Sequence, residues 1–262
     1  MKSLQYLQRY ADAAKTVVRE VPENDHVFVH EGKNLQLYHF NGLSGLRAIV
    51  LAMISNDIDQ PKSFMDFGCA YGRVLRYFKA AFPEAALTAC DVREDAITYC
   101  AETFGARPVL SSAVLNNISI PTTHDVIWMG SVITHFSADD SRLLLAKMLD
   151  NLSPGGLLVF SLHGRIYPLD IQPNRWKILG DDDFEGALHD YRKVGFGYRD
   201  YPGRPGIGAS LTSPAWVFDL VAQDRNLVFS YHERGWTGWH DIAVIKKGGL
   251  RAYFDTYKDQ PY

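Results

Sequence analysis

The chain has 262 residues, of which 47% are hydrophobic and 22% charged, and this composition excludes disordered, coiled-coil and collagen-like proteins. Its 27 basic and 30 acidic residues give a net charge of −3 without a basic block, so no nucleic-acid partner is predicted. Three cysteines without a CxxC pair predict neither a disulfide framework nor a thiolate zinc site, and they favour the cytoplasm. The first residues lack a signal-peptide core, and no membrane partner is predicted.

Residues 1–60 are predicted to form a helical N-terminal cap in two pieces. The segment from Gly42 to Ile58 has apolar residues at helical spacing, which predicts a helix. Between the pieces, the sequence from His26 to His30 alternates in polarity and predicts a short extended stretch. Its two histidines have no third ligand nearby in the sequence, so no metal site is predicted.

Residues 61–162 alternate short apolar runs with amphipathic segments, which is typical of a cofactor-binding α/β core. The helices are predicted to end at Pro83, to run from Arg93 to Phe104 before a Gly105 C-cap, and to run from a Ser137 N-cap to Leu152. The pattern predicts a Rossmann-like, mostly parallel sheet with helices on both faces. The predicted strands are Ser63–Phe67, Leu87–Cys90, Pro108–Leu110, Val126–Met129 and Leu157–Leu162.

The regular alternation stops after residue 162. Residues 163–226 are predicted to be an aromatic-rich insertion on the substrate side, because they are too long for a plain connection. Their aromatic residues suit either a lid over the acceptor or a small satellite core. Residues 227–262 are predicted to hold an antiparallel closing hairpin and a tail, with strands over 227–232 and 241–246. The hairpin brings the sheet to seven strands within one compact domain.

The strongest local signal is the loop from Asp66 to Gly72, with the sequence DFGCAYG, between the first strand and its helix. Its glycines allow a tight turn and a close approach to a ligand beside a helix N-terminus. Asp91 ends the second strand, where a carboxylate accepts hydrogen bonds from both hydroxyls of a ribose. These positions predict a nucleoside-binding site.

Two cofactor classes share this geometry. A dinucleotide site has the pattern G-x-G-x-x-G, but counting from Gly68 this chain has Ala70 and Arg73 at the second and third glycine positions. Asp66 would also repel a diphosphate, whereas a nucleoside joined to a cationic amino acid tolerates a carboxylate there. The loop therefore favours S-adenosylmethionine over a dinucleotide.

In these residues the chain resembles the class I S-adenosylmethionine-dependent methyltransferases, over roughly residues 61–163. The D-x-G-x-G-x-G loop matches Asp66, Gly68 and Gly72, and the acidic end of the second strand matches Asp91. Residues 125–131 (DVIWMGS) resemble the fourth-strand motif, and residues 152–156 (LSPGG) resemble the turn before the fifth strand. The departure from the family pattern is Ala70, which replaces the middle glycine.

The resemblance implies a methyltransferase that binds S-adenosylmethionine. It places Gly68 and Gly72 under the methionine part, Asp66 at its amino group and Asp91 at the ribose. It also implies adenine contacts after the second and third strands and a methyl-donor side after the fourth. The complete set of implied cofactor residues is Asp66, Gly68, Ala70, Gly72, Arg73, Asp91, Val92, Ser112, Ala113, Gly130 and Ser131. Arg73 and Arg76 are candidates for the cofactor carboxylate or for exposed helix positions.

The predicted acceptor is a small molecule or a glycan, methylated on a hydroxyl oxygen. A neutral hydroxyl needs a base, and histidine suits that role near neutral pH. Three histidines are candidates: His135 after the fourth strand, His163 at the end of the fifth and His240 in the hairpin beside Asp241. Each has a structural alternative, namely helix capping or cofactor contact for His135, backbone hydrogen bonding for His163 and hairpin packing for His240.

Two other functions stay open from the sequence. Ala70 and the serines at positions 111 and 112 are compatible with a non-catalytic binding protein of the same fold. A nucleotide-dependent oxidoreductase is disfavoured by the loop spacing and by Asp66. No metal cofactor is predicted for any of these functions.

Overall fold

A computed structural model describes residues 2–170, 179–222 and 227–248 of the chain. The chain divides into two compact units, residues 1–130 and 131–262. The predicted tail, and residues 171–178 and 223–226 of the predicted insertion, lie outside the described residues.

The first unit opens with helices. These are α1 (Lys2–Thr16), α2 (His26–His30) and α3 (Leu35–Ser55). The prediction of an extended stretch at 26–30 is wrong, because the Asp25 carboxylate accepts hydrogen bonds from the backbone N–H groups of Val27 and Phe28 and begins a helical turn. The predicted Gly42–Ile58 helix is α3, which begins earlier, after an Asn34 N-cap, and ends at Ser55.

Helix α3 is long and apolar enough to cross a membrane by length and composition, but 67% of that apolar window is buried inside the structure. Core helices of soluble proteins pass the same test, so this one helix is weak evidence for a membrane span. Its buried face includes the polar side chain of His39, whose ring nitrogens lie 3.0 Å from the Tyr77 hydroxyl and 3.0 Å from the Arg19 carbonyl oxygen. Burial lowers the pKa of His39.

The strands and helices of the predicted α/β core follow in the first unit. They are β1 (Ser63–Phe67), α4 (Leu75–Ala81), β2 (Ala86–Asp91), α5 (Glu94–Phe104), β3 (Arg107–Leu110) and β4 (His124–Met129). β1 pairs in parallel with β2 and β4, and β2 pairs in parallel with β3. α5 ends at Gly105, which has the left-handed conformation predicted for a C-cap.

The second unit contains the remaining elements. They are α6 (Ala138–Asp150), β5 (Leu152–Leu162), α7 (Tyr167–Asp170), α8 (Asp181–Val194), β6 (Phe196–Tyr201), β7 (Arg204–Thr212), α9 (Pro214–Val221), β8 (Leu227–Trp236) and β9 (His240–Lys247). The Ser137 hydroxyl caps α6 as predicted. The prediction that this helix reaches Leu152 is wrong, because α6 ends at Asp150 and β5 already begins at Leu152.

Three strands of the second unit form the closing part of the sheet. β9 pairs antiparallel with both β5 and β8, which confirms the predicted hairpin, although both of its strands are longer than predicted. The complete strand order is β3-β2-β1-β4-β5-β9-β8, and β6 and β7 form a separate two-stranded sheet. The predicted fold class, a mostly parallel seven-stranded α/β sheet, is confirmed.

The predicted insertion carries its own small core. Leu179, Ala209 and Leu211 are buried there, and partly buried aromatic and aliphatic side chains pack against them, namely Tyr167, Phe184, Leu188, Tyr191 and Tyr201. The rings of Phe196 and Trp216 lie 4.6 Å apart, and both side chains are buried. Several of the aromatic residues therefore stabilise the insertion itself, as in the satellite-core alternative.

Candidate active site

The loop after β1 is held in a conformation that suits a close approach of its backbone to a ligand. Gly68, Ala70 and Gly72 all have positive φ angles, of 76°, 46° and 75°. A Cβ atom on Gly72 would lie 2.8 Å from the Phe104 ring, so α5 excludes a side chain there. The N–H groups of Gly68 and Cys69 donate to the Cys90 carbonyl oxygen at 2.8 and 3.2 Å. The loop is thus fixed against the end of β2.

Asp91 joins the same loop to the end of β2. Its Oδ2 accepts the Ala70 N–H at 2.8 Å, and its Oδ1 accepts the Arg93 N–H at 3.1 Å. A carboxylate oxygen has two lone pairs, so each oxygen keeps acceptor capacity for a ribose hydroxyl. The side chain is 8% exposed, so a ligand that reached it would replace little water. Asp91 therefore both shapes the loop and presents an anion beside it.

Asp66 lies behind the loop, buried at the end of β1. Its Oδ2 accepts the Leu75 N–H at 3.1 Å, at the beginning of α4. Burial raises the pKa of Asp66 to about 7; the Leu75 N–H lowers that pKa, Asp91 raises it and Arg73 lowers it. Burial dominates because the charged form loses its hydration. Near neutral pH this carboxyl is consequently poised between its protonated and charged forms.

The residues predicted to contact adenine lie at the ends of β2 and β3, which are adjacent parallel strands. Asp91 pairs in register with Leu110, and the Val92 side chain is 57% exposed. Ala113 is exposed, and the Ser112 hydroxyl accepts the Val114 N–H at 3.1 Å. An exposed apolar side chain beside a buried carboxylate suits a nucleoside, because the base is apolar on its faces and the ribose is polar.

The two residues predicted on the methyl-donor side follow β4. A Cβ atom on Gly130, the last residue of the first unit, would lie 2.8 Å from Nε1 of the Trp128 indole. Ser131, in the second unit, has a φ of 58°, and its N–H donates to the Ser161 hydroxyl at 2.7 Å. The backbone is therefore tightly constrained at both positions.

Residues of the N-terminal cap contact the loop, and the sequence analysis missed them. The Asn24 amide donates to the Tyr71 hydroxyl at 2.9 Å. Arg73 donates to Glu31 Oε1 at 2.5 Å, and the Asn41 amide donates to the same oxygen at 2.8 Å. These pairs join positions that are far apart along the chain, so no sequence motif could have indicated them.

Arg76 does not play the role suggested for it. Its guanidinium is buried and donates to backbone carbonyl oxygens, so it is a structural residue and neither a cofactor ligand nor an exposed helix arginine. The acceptors are Gly72, Tyr71, Val18 and Glu20, at distances of 2.7 to 3.1 Å. This one side chain ties residues 18–20 to the loop.

All three candidate bases lie in the second unit. The Nδ1 atoms of His135 and His163 lie 3.0 and 3.1 Å from the carbonyl oxygens of Gly208 and Ser210, two alternate residues of β7. A carbonyl only accepts, so each ring carries a proton on Nδ1. His135 Nδ1 also lies 3.1 Å from the Tyr201 hydroxyl. Burial lowers the pKa of His135, and the Gly208 carbonyl opposes this in part.

His240 belongs to an aromatic cluster in the same unit. Its ring centroid lies 5.0 Å from that of His163 and 5.1 Å from that of Trp236, and Tyr167 stacks on His163 at 3.7 Å. Its Nδ1 lies 3.1 Å from the Thr237 hydroxyl.

The neighbouring Asp241 is engaged elsewhere. Its carboxylate accepts the Tyr231 hydroxyl at 2.5 Å and the Arg234 N–H at 2.8 Å. Burial raises the pKa of Asp241, and these two hydrogen bonds lower it. The contacts of His240 include the Thr237 hydroxyl and the neighbouring aromatic rings.

The structure also describes the histidines and cysteines that were considered for metal or thiol chemistry. Within residues 2–170, 179–222 and 227–248, no group of three or more His, Cys, Asp or Glu side chains is arranged to hold a metal ion. His26 and His30 are exposed on the short helix α2. Cys69, Cys90 and Cys100 are buried free thiols.

Comparisons with known proteins agree with this architecture. Residues 65–158 match the family model of a methyltransferase domain. No curated protein matches the chain. A solved S-adenosylmethionine-dependent methyltransferase from Clostridium acetobutylicum ATCC 824 is 14% identical, with a TM-score of 0.57 over 85% of this chain and 98% of that one.

Two further solved structures are similar. The plantazolicin methyltransferase BpumL, in complex with a pentazolic desmethylPZN analog and S-adenosylhomocysteine, is 13% identical, with a TM-score of 0.58 over 94% of this chain and 99% of that one. CalS10, an amino pentose methyltransferase from Micromonospora echinaspora with bound S-adenosylmethionine, is 14% identical, with a TM-score of 0.56 over 88% and 99%. The match over residues 65–158 and the similar structures confirm the resemblance to the class I methyltransferases at the level of the fold.

Proposed function

We propose that this protein is an S-adenosylmethionine-dependent methyltransferase that modifies a small-molecule acceptor, with a hydroxyl oxygen as the methylated atom. BpumL is described as a plantazolicin methyltransferase and CalS10 as an amino pentose methyltransferase. Both descriptions support a small-molecule acceptor. The charge of −3 is in keeping with a partner other than nucleic acid. We place the reaction in the cytoplasm and the acceptor beside the insertion of residues 163–226.

The observation that carries the proposal is the geometry of the loop after β1. Positions 68, 70 and 72 have the left-handed conformation, and Asp91 presents its carboxylate at the end of the adjacent strand. Asp66 lies behind the loop as a second acid, which suits a cationic cofactor and disfavours a diphosphate. The residues present therefore fit S-adenosylmethionine better than a dinucleotide.

The protein has a limited chemical task in this reaction. The bound sulfonium supplies a methyl group that is already activated for an in-line displacement. The chain must align the two reactants and exclude water from them. Asp91 fixes the ribose while it holds the Ala70 N–H, and Gly130 lies on the methyl side at a position where the Trp128 indole excludes a side chain. Val92 covers one face of the adenine.

Removal of the acceptor proton falls to a histidine of the second unit. The β7 carbonyls of Gly208 and Ser210 hold a proton on Nδ1 of His135 and of His163, so Nε2 is the basic nitrogen of a neutral His135. His135 stays neutral at physiological pH, because burial lowers its pKa. His240, within the aromatic cluster, is the third candidate. We propose His135 first, since a neutral ring with a fixed tautomer is ready to accept a proton.

Calorimetric titration with S-adenosylhomocysteine tests the donor site. The wild-type protein is expected to bind it, and Asp91→Asn to lose most of the affinity, because the amide still accepts the Ala70 N–H but lacks the charge that holds two hydroxyls. Asp12→Asn, at an exposed carboxylate of α1, is the matched control and is expected to bind normally. Tight binding of NADH without any response to S-adenosylhomocysteine would overturn the assignment in favour of an oxidoreductase.

A non-catalytic binding protein is the second candidate, favoured by Ala70 in a left-handed conformation where the family has glycine. A transfer assay distinguishes the enzyme from the binding protein. The protein is incubated with labelled S-adenosylmethionine and a panel of hydroxylated and amino-substituted sugars and aromatic compounds. Transfer to a hydroxyl that His135→Gln abolishes supports the enzyme as proposed. Transfer to amino acceptors alone would refute the oxygen assignment. Cofactor affinity only at millimolar concentration, with an intact fold, would support the binding protein.

A further inference from the structure

Glu31 is a largely buried acid that uses one carboxylate oxygen fully and leaves the other without a partner among the described residues. It is the C-cap residue that follows α2, and only 13% of its side chain is exposed. Its Oε1 accepts both the Arg73 guanidinium and the Asn41 amide. Oε2 is buried, and no donor from the described part of the chain reaches it.

An unpaired acceptor of this kind is unusual in a folded protein. Most buried polar side-chain atoms have a partner, because a buried acceptor gives up its hydrogen bonds to water and gains nothing in return. A carboxylate only accepts, so the atom that completes the Oε2 environment must carry a hydrogen. The nearby Lys33 is paired with Glu23, at 3.8 Å. A buried, unpaired carboxylate oxygen of this kind is typical of a residue that binds a ligand through that oxygen.

The position of Glu31 indicates which ligand this is. Its partner Arg73 directly follows Gly72, the last residue of the loop proposed to lie under the methionine part of the cofactor. Helix α3 packs against the same point, since a Cβ atom on Gly42 would lie 2.4 Å from the Arg73 carbonyl oxygen. Glu31 and Arg73 together thus form a paired negative and positive group beside this loop.

The amino-acid end of the cofactor is chemically complementary to that pair. It carries an ammonium group with three N–H donors and a carboxylate with acceptors only. From this juxtaposition we infer that Glu31 binds the ammonium group of the methyl donor through Oε2, with Arg73 beside its carboxylate. The N-terminal cap therefore completes the cofactor site. This inference rests on the proposed function, because it assigns a further residue to the same cofactor.

The state of Asp66 supports a second acid at this end of the site. The family resemblance implies that Asp66 holds the ammonium group, but burial raises its pKa to about 7, so near neutral pH it is only partly charged. Glu31 Oε1 is already paired with the Arg73 guanidinium at 2.5 Å, which leaves Oε2 as the acceptor for an ammonium donor.

Two ligands that differ only at the amino-acid end test this assignment. S-adenosylhomocysteine has the zwitterion, whereas 5′-methylthioadenosine has the same adenosine and thioether without it. For Glu31→Gln we expect the affinity for S-adenosylhomocysteine to fall about tenfold, which corresponds to about 1.4 kcal/mol, and the affinity for 5′-methylthioadenosine to stay unchanged. Glu84→Gln, which removes the acid of the Arg9–Glu84 pair in the same unit, is the control and should change neither affinity.

The outcomes distinguish a failure of the proposed function from a failure of the Glu31 assignment. If the wild type binds neither ligand, the proposed function itself fails. If the wild type binds both and Glu31→Gln weakens both equally or neither, Glu31 is only a structural partner of Arg73 and the inference is overturned. If Glu31→Gln does not fold, the deamino analogue of S-adenosylhomocysteine is titrated into the wild type and into Glu31→Asp. The wild type should prefer the parent ligand strongly and Glu31→Asp less so, and equal preferences would refute the inference.

Discussion

At the scale of single residues, Ala70 shows how the loop after β1 is constrained. Its φ of 46° lies in the left-handed region, where a Cβ atom costs an L-residue roughly 1–2 kcal/mol. The Asp91 carboxylate holds the Ala70 N–H in place, and the Cys69 and Cys100 thiols donate to its carbonyl oxygen at 3.3 and 3.5 Å. The N–H and the carbonyl oxygen of Ala70 are therefore both hydrogen-bonded, and these bonds maintain a conformation that alanine itself disfavours.

Replacing Ala70 by glycine should therefore relieve strain. Glycine costs about 0.5–1 kcal/mol through the greater freedom of the unfolded chain, and at position 70 the relief of the left-handed alanine offsets this. Ala85 is equally buried but does not have a positive φ, so Ala85→Gly is the matched control. In urea denaturation Ala70→Gly is expected to be about 1 kcal/mol more stable than Ala85→Gly. Equal losses of stability in both variants would show that Ala70 carries no strain.

At the scale of elements, Arg76 links the N-terminal cap to the cofactor loop. It lies in α4, is 1% exposed, and donates to four carbonyl oxygens from the loop and from residues 18–20. The guanidinium also lies over the rings of Tyr38 and Phe104, at 5.3 and 5.4 Å from their centroids. A single side chain thus donates to backbone carbonyls of two different segments.

Replacing Arg76 by methionine keeps the apolar stem but removes the side-chain donors to the carbonyl oxygens of Val18, Glu20 and Tyr71, whereas the Gly72 carbonyl keeps the backbone N–H of residue 76. The free energy of unfolding should fall by about 3 kcal/mol, because three buried or partly buried acceptors lose the guanidinium. Arg9→Met is the matched control, and it should cost about 1 kcal/mol or less because Arg9 is partly exposed. Chemical denaturation measures both, and limited proteolysis near residues 18–20 should accelerate only in Arg76→Met. A loss no larger than that of Arg9→Met would refute the linking role.

The elements also show what the sequence could predict. β1 was predicted with its exact bounds, and Gly105 and Ser137 were correctly identified as caps, because these signals are local. The helix at 26–30 was misread because alternating polarity over five residues was given more weight than the Asp25 N-cap. The link from Glu31 to Arg73 could not be predicted, since it depends on how distant segments pack and not on a motif. The same holds for the β7 carbonyls that fix the tautomers of two histidines.

At the scale of the whole molecule, the pH dependence of stability should contain two opposing contributions from the first unit. Burial raises the pKa of Asp66 to about 7, above its value in the unfolded chain. The contribution of Asp66 to the free energy of unfolding is therefore present below about pH 4 and is lost as the pH rises to 7. Burial lowers the pKa of His124 to about 4; Asp125 raises that pKa and Arg107 lowers it. The histidine contribution is therefore present above its unfolded pKa of 6.5 and is lost as the pH falls to 4.

Two variants separate these contributions when each is compared with the wild type at every pH. Asp66→Asn still accepts the Leu75 N–H, so its stability relative to the wild type should increase from pH 4 to pH 8, by up to about 4 kcal/mol. In His124→Gln the amide nitrogen replaces the ring nitrogen that lies 2.9 Å from the Thr88 hydroxyl. Its relative stability should instead increase as the pH falls from 7 to 4, by up to about 3 kcal/mol. Urea denaturation across this pH range measures both variants, and two difference profiles that run in the same direction would contradict the assigned burial of one of these groups.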